Sequence, residues 1–185
     1  MQHRAFTLTL AAVATIAIGC YTDKTTTAPK TTGTTTSTTP AAPVNNNVTF
    51  TATMTGAKEN PANASTGTGT FTATNDTVTN IFSYDVTFTG LTSAVNNGHI
   101  HGPAASATVN SGTTINFNTQ AGANFSFGQT SGTAHGIALL TAATQITATI
   151  NGDSLKKLFF AGLTYANIHT TAFGGGEIRG TITKQ

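Results

Sequence analysis

Apolar residues alternate with threonine along several stretches of this chain, and this period of two constrains the fold more than any other feature. Residues 48–55 read VTFTATMT, and residues 82–89 read FSYDVTFT. Successive side chains of a β-strand point to opposite faces, so each run forms a strand with one apolar and one polar face. Threonine suits the polar face because its branched Cβ favours an extended backbone. The pattern predicts strands that cover a core on one side.

Shorter alternating runs follow the same rule and are separated by turn sequences such as Asn96-Asn97-Gly98. These runs centre on Ile115 and Phe117, on Phe125 and Phe127, and on Ile146, Ala148 and Ile150. Many short strands joined by polar turns are typical of antiparallel sheets. We therefore expect an all-β fold, an antiparallel Greek-key-like β-sandwich or barrel.

One segment has a helical rather than a strand period. Leu155, Leu158 and Phe159 fall on one face of a helix. Asp153 is expected to cap the N-terminus of this helix, and Gly162 is expected to end it. The sequence thus predicts one short helix that packs across an end of the sandwich.

Residues 1–19 are predicted to be a signal peptide. Arg4 supplies the positive start, and the uncharged stretch that follows is shorter than the about 20 apolar residues that span a bilayer. It ends in Ala17-Ile18-Gly19-Cys20, which resembles the bacterial lipobox, in which the cysteine is acylated. We expect an exported protein, held in the cell envelope by a lipid anchor at Cys20 and facing the periplasm or the cell exterior. The alternative is a chance cysteine in an ordinary signal peptide.

Residues 20–43 are predicted to be a lipidated N-terminus and a disordered linker, because threonine, alanine, proline, lysine and serine dominate them. Residues 44–185 then form the single folded domain. Residues 1–43 hold three of the eight basic and one of the six acidic residues, so the domain carries five of each and no net charge. The domain has no basic patch, which argues against nucleic acid as a partner.

Three of the five histidines are candidates for a metal site: His99, His101 and His169. Residues two apart in a strand share a face, so His99 and His101 point the same way. Such a pair with a distant third histidine is an arrangement that proteins use for zinc or copper. The competing interpretation is that these histidines form hydrogen bonds that order the Gly102-Pro103 turn.

Glu59, Glu177 and Arg179 are the charged residues that could support this cluster. Strand parity puts Glu177 and Arg179 on one face. Either Glu177 or a carbonyl group could orient a histidine ring, and Glu177 could also act as a fourth ligand. Glu59 could also be a fourth ligand, or the ion-pair partner of Arg179. The alternative for Glu59 is a solvated loop carboxylate.

These segments resemble the signature stretches of the CHRD domain, a module first described in chordin and common in secreted bacterial proteins. The similar stretches are Gly98–Ala104, Asn167–Thr170, Gly176–Gly180 and the segment around Glu59, where one proline stands in place of the usual two. The resemblance covers roughly residues 48–183. It implies a CHRD domain over residues 44–185, but no activity, because most members of the family have none established.

We therefore expect a lipid-anchored extracytoplasmic binding module, with an unknown surface protein or glycan as partner and zinc or copper as a candidate ligand. One alternative is a metalloenzyme loosely similar to copper–zinc superoxide dismutase, although a two-metal site of that type needs more histidines than this domain has. Another is a purely structural or adhesive surface protein with structural histidines. An enzyme is not favoured, because the domain lacks a cysteine nucleophile, a Gly-x-Ser-x-Gly elbow and a phosphate-binding glycine loop.

Overall fold

The computed structural model describes residues 45–185. The predicted signal peptide, Cys20 and the linker over residues 20–43 lie outside the described residues. Among the described residues, no helix is long and apolar enough to cross a membrane.

Nine of the eleven strands form one antiparallel sheet in the order β5-β4-β10-β11-β1-β2-β3-β7-β6. The strands are β1 (Asn47–Thr55), β2 (Thr68–Asp76), β3 (Ile81–Thr89), β4 (Val95–His101), β5 (Thr113–Asn116), β6 (Ala121–Phe125), β7 (Gly132–Leu139), β8 (Gln145–Thr147), β9 (Ile150–Asn151), β10 (Thr164–Thr170) and β11 (Ile178–Lys184). The β10–β11 hairpin lies between β4 and β1. The all-β expectation is confirmed.

The sheet curls until its two ends meet around the core. Phe117, just after β5, packs against Phe125 of β6, with ring centroids 6.2 Å apart. Phe117 also packs against Tyr84 of β3 at 5.2 Å. The alternating apolar residues of β1 and β3 point into this core, where Phe50 and Phe82 are fully buried. Their burial supplies the main driving force for folding.

Strand β7 was not predicted, because its inward residues are small. The buried residues of β7 are Ala134, Gly136 and Ala138, whereas Ile137 and Leu139 point to solvent. A Cβ on Gly136 would collide with the Tyr84 ring. The small inward residues of β7 therefore make room for the Tyr84 ring. Because they are not large apolar residues, the sequence shows no alternation that would indicate the strand.

Two local predictions need correction. Residues 146–150 form two short paired strands, β8 and β9, instead of one continuous strand. The helix, α1 (Gly152–Phe160), is present, but its cap is Asn151, whose side chain accepts a hydrogen bond from the Ser154 N–H at 2.8 Å. Asp153 instead lies in the first turn and pairs with Lys157 at 2.9 Å.

Candidate metal centre

Three adjacent strands carry the candidate site. Strand β10 lies between β4 and β11, and its Asn167 is in register with His99 on one side and Arg179 on the other. The alternate residues, such as Ile100, Ile168 and Ile178, are fully buried in the core. The site therefore occupies the opposite face of the sheet from the core.

The three predicted histidines meet on this face. Each of His99, His101 and His169 offers one ring nitrogen, and these nitrogens lie within 4.8 Å of one another. His99 Nδ1 is 3.1 Å from His169 Nε2. The exposed fractions of His99 and His101 are only 9% and 8%. The described residues contain no other such group of three histidine, cysteine or acidic side chains.

Main-chain carbonyl groups orient two of the three rings. His101 Nδ1 lies 2.8 Å from the Ser111 carbonyl oxygen, and His169 Nδ1 lies 2.9 Å from that of Gly174. A carbonyl oxygen only accepts hydrogen bonds, so each Nδ1 carries the hydrogen and donates it. In the neutral imidazole, Nε2 then carries no hydrogen and has a free lone pair. Metal-binding histidines are typically fixed in this way.

Burial keeps the rings neutral. Burial, with a smaller effect from the charges of His169 and His101, lowers the pKa of His99 from 6.5 to about 4. Burial also lowers the pKa of His101 and of His169, against the opposing effect of their bonds to Ser111 and Gly174. At pH 7 the three rings therefore present lone pairs, which is the form that binds metals.

Asn167 lies at the centre of the cluster. Its Oδ1 atom is 3.1 Å from Nε2 of His101 and 3.1 Å from Nε2 of His169. Its side chain is almost fully buried. Asn167 lies two residues before His169, so strand parity puts both on one face, but the sequence analysis did not name Asn167 as a site residue.

On the same face of the sheet, the side chains of Arg179, Tyr165 and His101 form a stack of planar groups. The guanidinium carbon of Arg179 lies 3.4 Å from the centroid of the Tyr165 ring, which in turn stacks on His101 with centroids 4.8 Å apart. The guanidinium also donates to Asn110 Oδ1 and to the Val109 carbonyl oxygen, both at 2.7 Å. Arg179 thus ties the strand face to the loop between β4 and β5, which covers it.

Glu59 is a buried carboxyl group at the edge of the cluster, not a solvated loop residue. Burial raises its pKa to about 7, while the Arg179 charge, the Asn60 backbone N–H and the Asn167 amide oppose that rise. Its Oε1 atom is buried without a hydrogen-bond partner in the described part of the chain. Within residues 45–185, Arg179 forms no ion pair with Glu59 or with Glu177.

Glu177 lies apart from the histidines. Its side chain is fully buried, and its two oxygens accept hydrogen bonds from the Ser65 hydroxyl, the Thr92 N–H and the Thr170 hydroxyl. Burial alone would raise the pKa of Glu177, but these hydrogen bonds lower it overall. The expectation that Glu177 orients a histidine does not match these contacts. It connects three chain segments instead.

Loop residues complete the site, and strand periodicity gives no signal for them. The carbonyl groups of Ser111 and Gly174 orient the histidines from two loops that are far apart in sequence. Gly176 packs closely against both Glu59 and Asn167, so that a Cβ there would collide with them. Its φ of +126° also favours glycine. In the sequence, the glycine-rich run at 174–176 was the one visible indication of these loop contacts.

The chain matches a known protein family. The family model of the CHRD domain matches residues 50–182, which include every residue of the site. No curated protein and no solved structure matches the chain.

Proposed function

The chain belongs to the CHRD domain family, and we propose that it is an extracytoplasmic binding module whose His99, His101 and His169 bind zinc or copper. The observation that carries the proposal is the convergence of three ring nitrogens within 4.8 Å. Imidazole is a ligand that both metals favour. The neutral rings, of which His99 and His101 are buried and His169 is half-buried, need no large rearrangement to coordinate an ion.

Two features of the surroundings support metal binding over a purely structural role. Histidines that only link strands usually use both ring nitrogens in hydrogen bonds to donors and acceptors. Here Nε2 of His101 and Nε2 of His169 each lie 3.1 Å from Asn167 Oδ1, which is itself an acceptor. His99 Nδ1 can donate to His169 Nε2, but His101 Nε2 faces no donor there. The outer nitrogens of His101 and His169 are held by carbonyl oxygens, as metal ligands commonly are. A redox or hydrolytic activity has no separate support in the geometry.

The test is the metal content of the purified protein after incubation with zinc or copper and removal of excess ion. We expect close to one metal per chain in the wild type and none in His101→Ala. His135→Ala is the matched control, because His135 is partly exposed on β7 and pairs with Asp85 at 2.9 Å, outside the cluster. Absence of metal from the wild type, or equal loss from both variants, would contradict the proposal.

We also propose that Cys20 is acylated and anchors the module to the membrane through the linker over residues 20–43. The support is the sequence motif alone: a small residue before the cysteine at the end of an apolar stretch. More than one acyl chain is needed for stable anchoring. We expect a fatty-acid label to be incorporated by cells expressing the wild type and not by cells expressing Cys20→Ala. Equal labelling of both would show that the anchor is elsewhere.

A further inference from the structure

The side chain of Asn167 faces the two inner histidine nitrogens in a way that hydrogen bonding alone does not explain. Nδ1 of His101 and of His169 each donate to a carbonyl oxygen, which leaves both Nε2 atoms as acceptors. Asn167 Oδ1 is itself an acceptor and lies 3.1 Å from each. Nε2 of His101, Nε2 of His169 and Asn167 Oδ1 are therefore three acceptors that meet in a buried place. A hydrogen on His99 Nδ1 can reach His169 Nε2 across 3.1 Å, but no hydrogen lies between His101 Nε2 and Asn167 Oδ1. A cation at this point would satisfy all three.

The nitrogen of the Asn167 amide lies toward Glu59, which is the orientation that points the amide oxygen toward the histidines. The amide interacts with the Glu59 carboxyl and is one of the groups that lower its pKa. Gly176 packs against both Glu59 Oε1 and Asn167 Nδ2, so the amide nitrogen lies on the Glu59 side. A carboxylate accepts and an amide N–H donates, so this arrangement favours Oδ1 toward the histidines.

We propose that Asn167 Oδ1 is the fourth ligand of the metal site, completing a set of three imidazole nitrogens and one amide oxygen. This inference rests on the proposed function of the histidines and adds a residue to it. Three histidines alone leave one position of a tetrahedral ion open. Asn167 is in register with His99 at the centre of the face and is 3% exposed, so its oxygen can close that position against solvent.

A ligand set of this composition has a consequence for the metal. All four donors are neutral, so an ion of charge +2 keeps its full charge at the site, with Glu59 as the nearby carboxyl group. Imidazole nitrogens favour zinc and copper over calcium or magnesium, which prefer oxygen ligands. The site is thus expected to bind zinc or copper(II) and to reject the hard cations.

The test compares the full-length processed protein with Asn167→Ala and Asn167→Asp, using zinc competition titrations and the visible absorption of bound cobalt(II). We expect Asn167→Ala to weaken zinc binding by about 10- to 100-fold. Its cobalt(II) band should also weaken, since water in place of the amide allows a higher coordination number. Asn167→Asp should bind zinc as tightly as the wild type, because it keeps an oxygen ligand at this position. Asn124→Ala, which removes an exposed strand asparagine, is the control.

The outcomes separate this inference from the proposed function. If the wild type binds zinc and Asn167→Ala matches it in affinity and cobalt spectrum, Asn167 is not a ligand, and the three-histidine site stands. If Asn167→Asp binds zinc as weakly as Asn167→Ala, an oxygen at this position does not support binding, and the proposal that Oδ1 is a ligand is refuted as well. If the wild type binds neither zinc nor cobalt, both proposals fail. Circular dichroism of each variant confirms that it is folded before binding is compared.

Discussion

Replacing Arg179 by alanine is expected to lower the free energy of unfolding by about 3 kcal/mol. The side chain is 1% exposed, so its removal leaves a buried cavity over the Tyr165 ring. It also leaves Asn110 Oδ1 and the Val109 carbonyl oxygen without their donor. Desolvated cation–π contacts of this kind contribute about 2 kcal/mol. Urea denaturation followed by circular dichroism measures the change.

Two further variants identify the cause of that loss. Lys184→Ala removes a cation from the exposed end of the same strand and should change stability by no more than about 0.5 kcal/mol. Arg179→Lys keeps the charge but cannot form both hydrogen bonds and the planar stack, so it should fall between wild type and alanine. A loss below about 1 kcal/mol in Arg179→Ala would contradict the role in holding the covering loop.

The metal-free protein is expected to lose stability as the pH falls from 6.5 to 4. Burial holds the pKa of His99 at about 4, against 6.5 as its ordinary value. The unfolded chain therefore takes up a proton in this window while the folded protein does not. The pKa of His101 and of His169 is lowered in the same direction. For His99 alone, the stability present above pH 6.5 and lost by pH 4 is about 3 kcal/mol.

Glu59 works in the opposite direction over nearly the same window and offsets a loss of the size given for His99, so the net loss in the wild type comes from His101 and His169. Its pKa is raised from 4.5 to about 7, so the folded protein takes up a proton there before the unfolded chain does. Its contribution is fully present below pH 4.5 and is lost as the pH rises through 7. In Glu59→Gln this compensation is absent, and the acid loss should exceed that of the wild type by about 3 kcal/mol. Urea midpoints at pH 7, 5.5 and 4 in the presence of a chelator measure both profiles. Coinciding profiles would refute this assignment to Glu59.

The strands were predictable where large apolar residues alternate with threonine. Strands β1 and β3 have this pattern because their inward residues fill the core. Strand β7 does not, because Ala134, Gly136 and Ala138 make room for Tyr84 and its neighbours. The packing of the whole sheet decides which strands carry small inward side chains and which carry large ones. A single strand's sequence does not contain that information.

The histidine cluster was predictable for a similar reason. Parity places His99, His101 and His169 on the outer face of two strands, and the pairing of β4 with β10 brings them together. Parity does not extend to Glu177, because β11 begins one residue later at Ile178. Glu59 reaches the cluster on a loop segment whose course no periodicity indicates. Strand periodicity thus predicted the histidines, whereas Glu59 was a candidate through the family resemblance of its segment and not through any periodicity.

Anomalous X-ray scattering from crystals grown with zinc, recorded on both sides of the zinc absorption edge, tests the metal site most directly. The proposed function predicts one strong anomalous peak between the three histidines, about 2.0–2.1 Å from His101 Nε2 and from His169 Nε2. Asn167 Oδ1 should lie about 2.0–2.2 Å from the same peak if it is the fourth ligand. No peak among the histidines, at zinc concentrations that saturate binding in solution, would contradict the metal site.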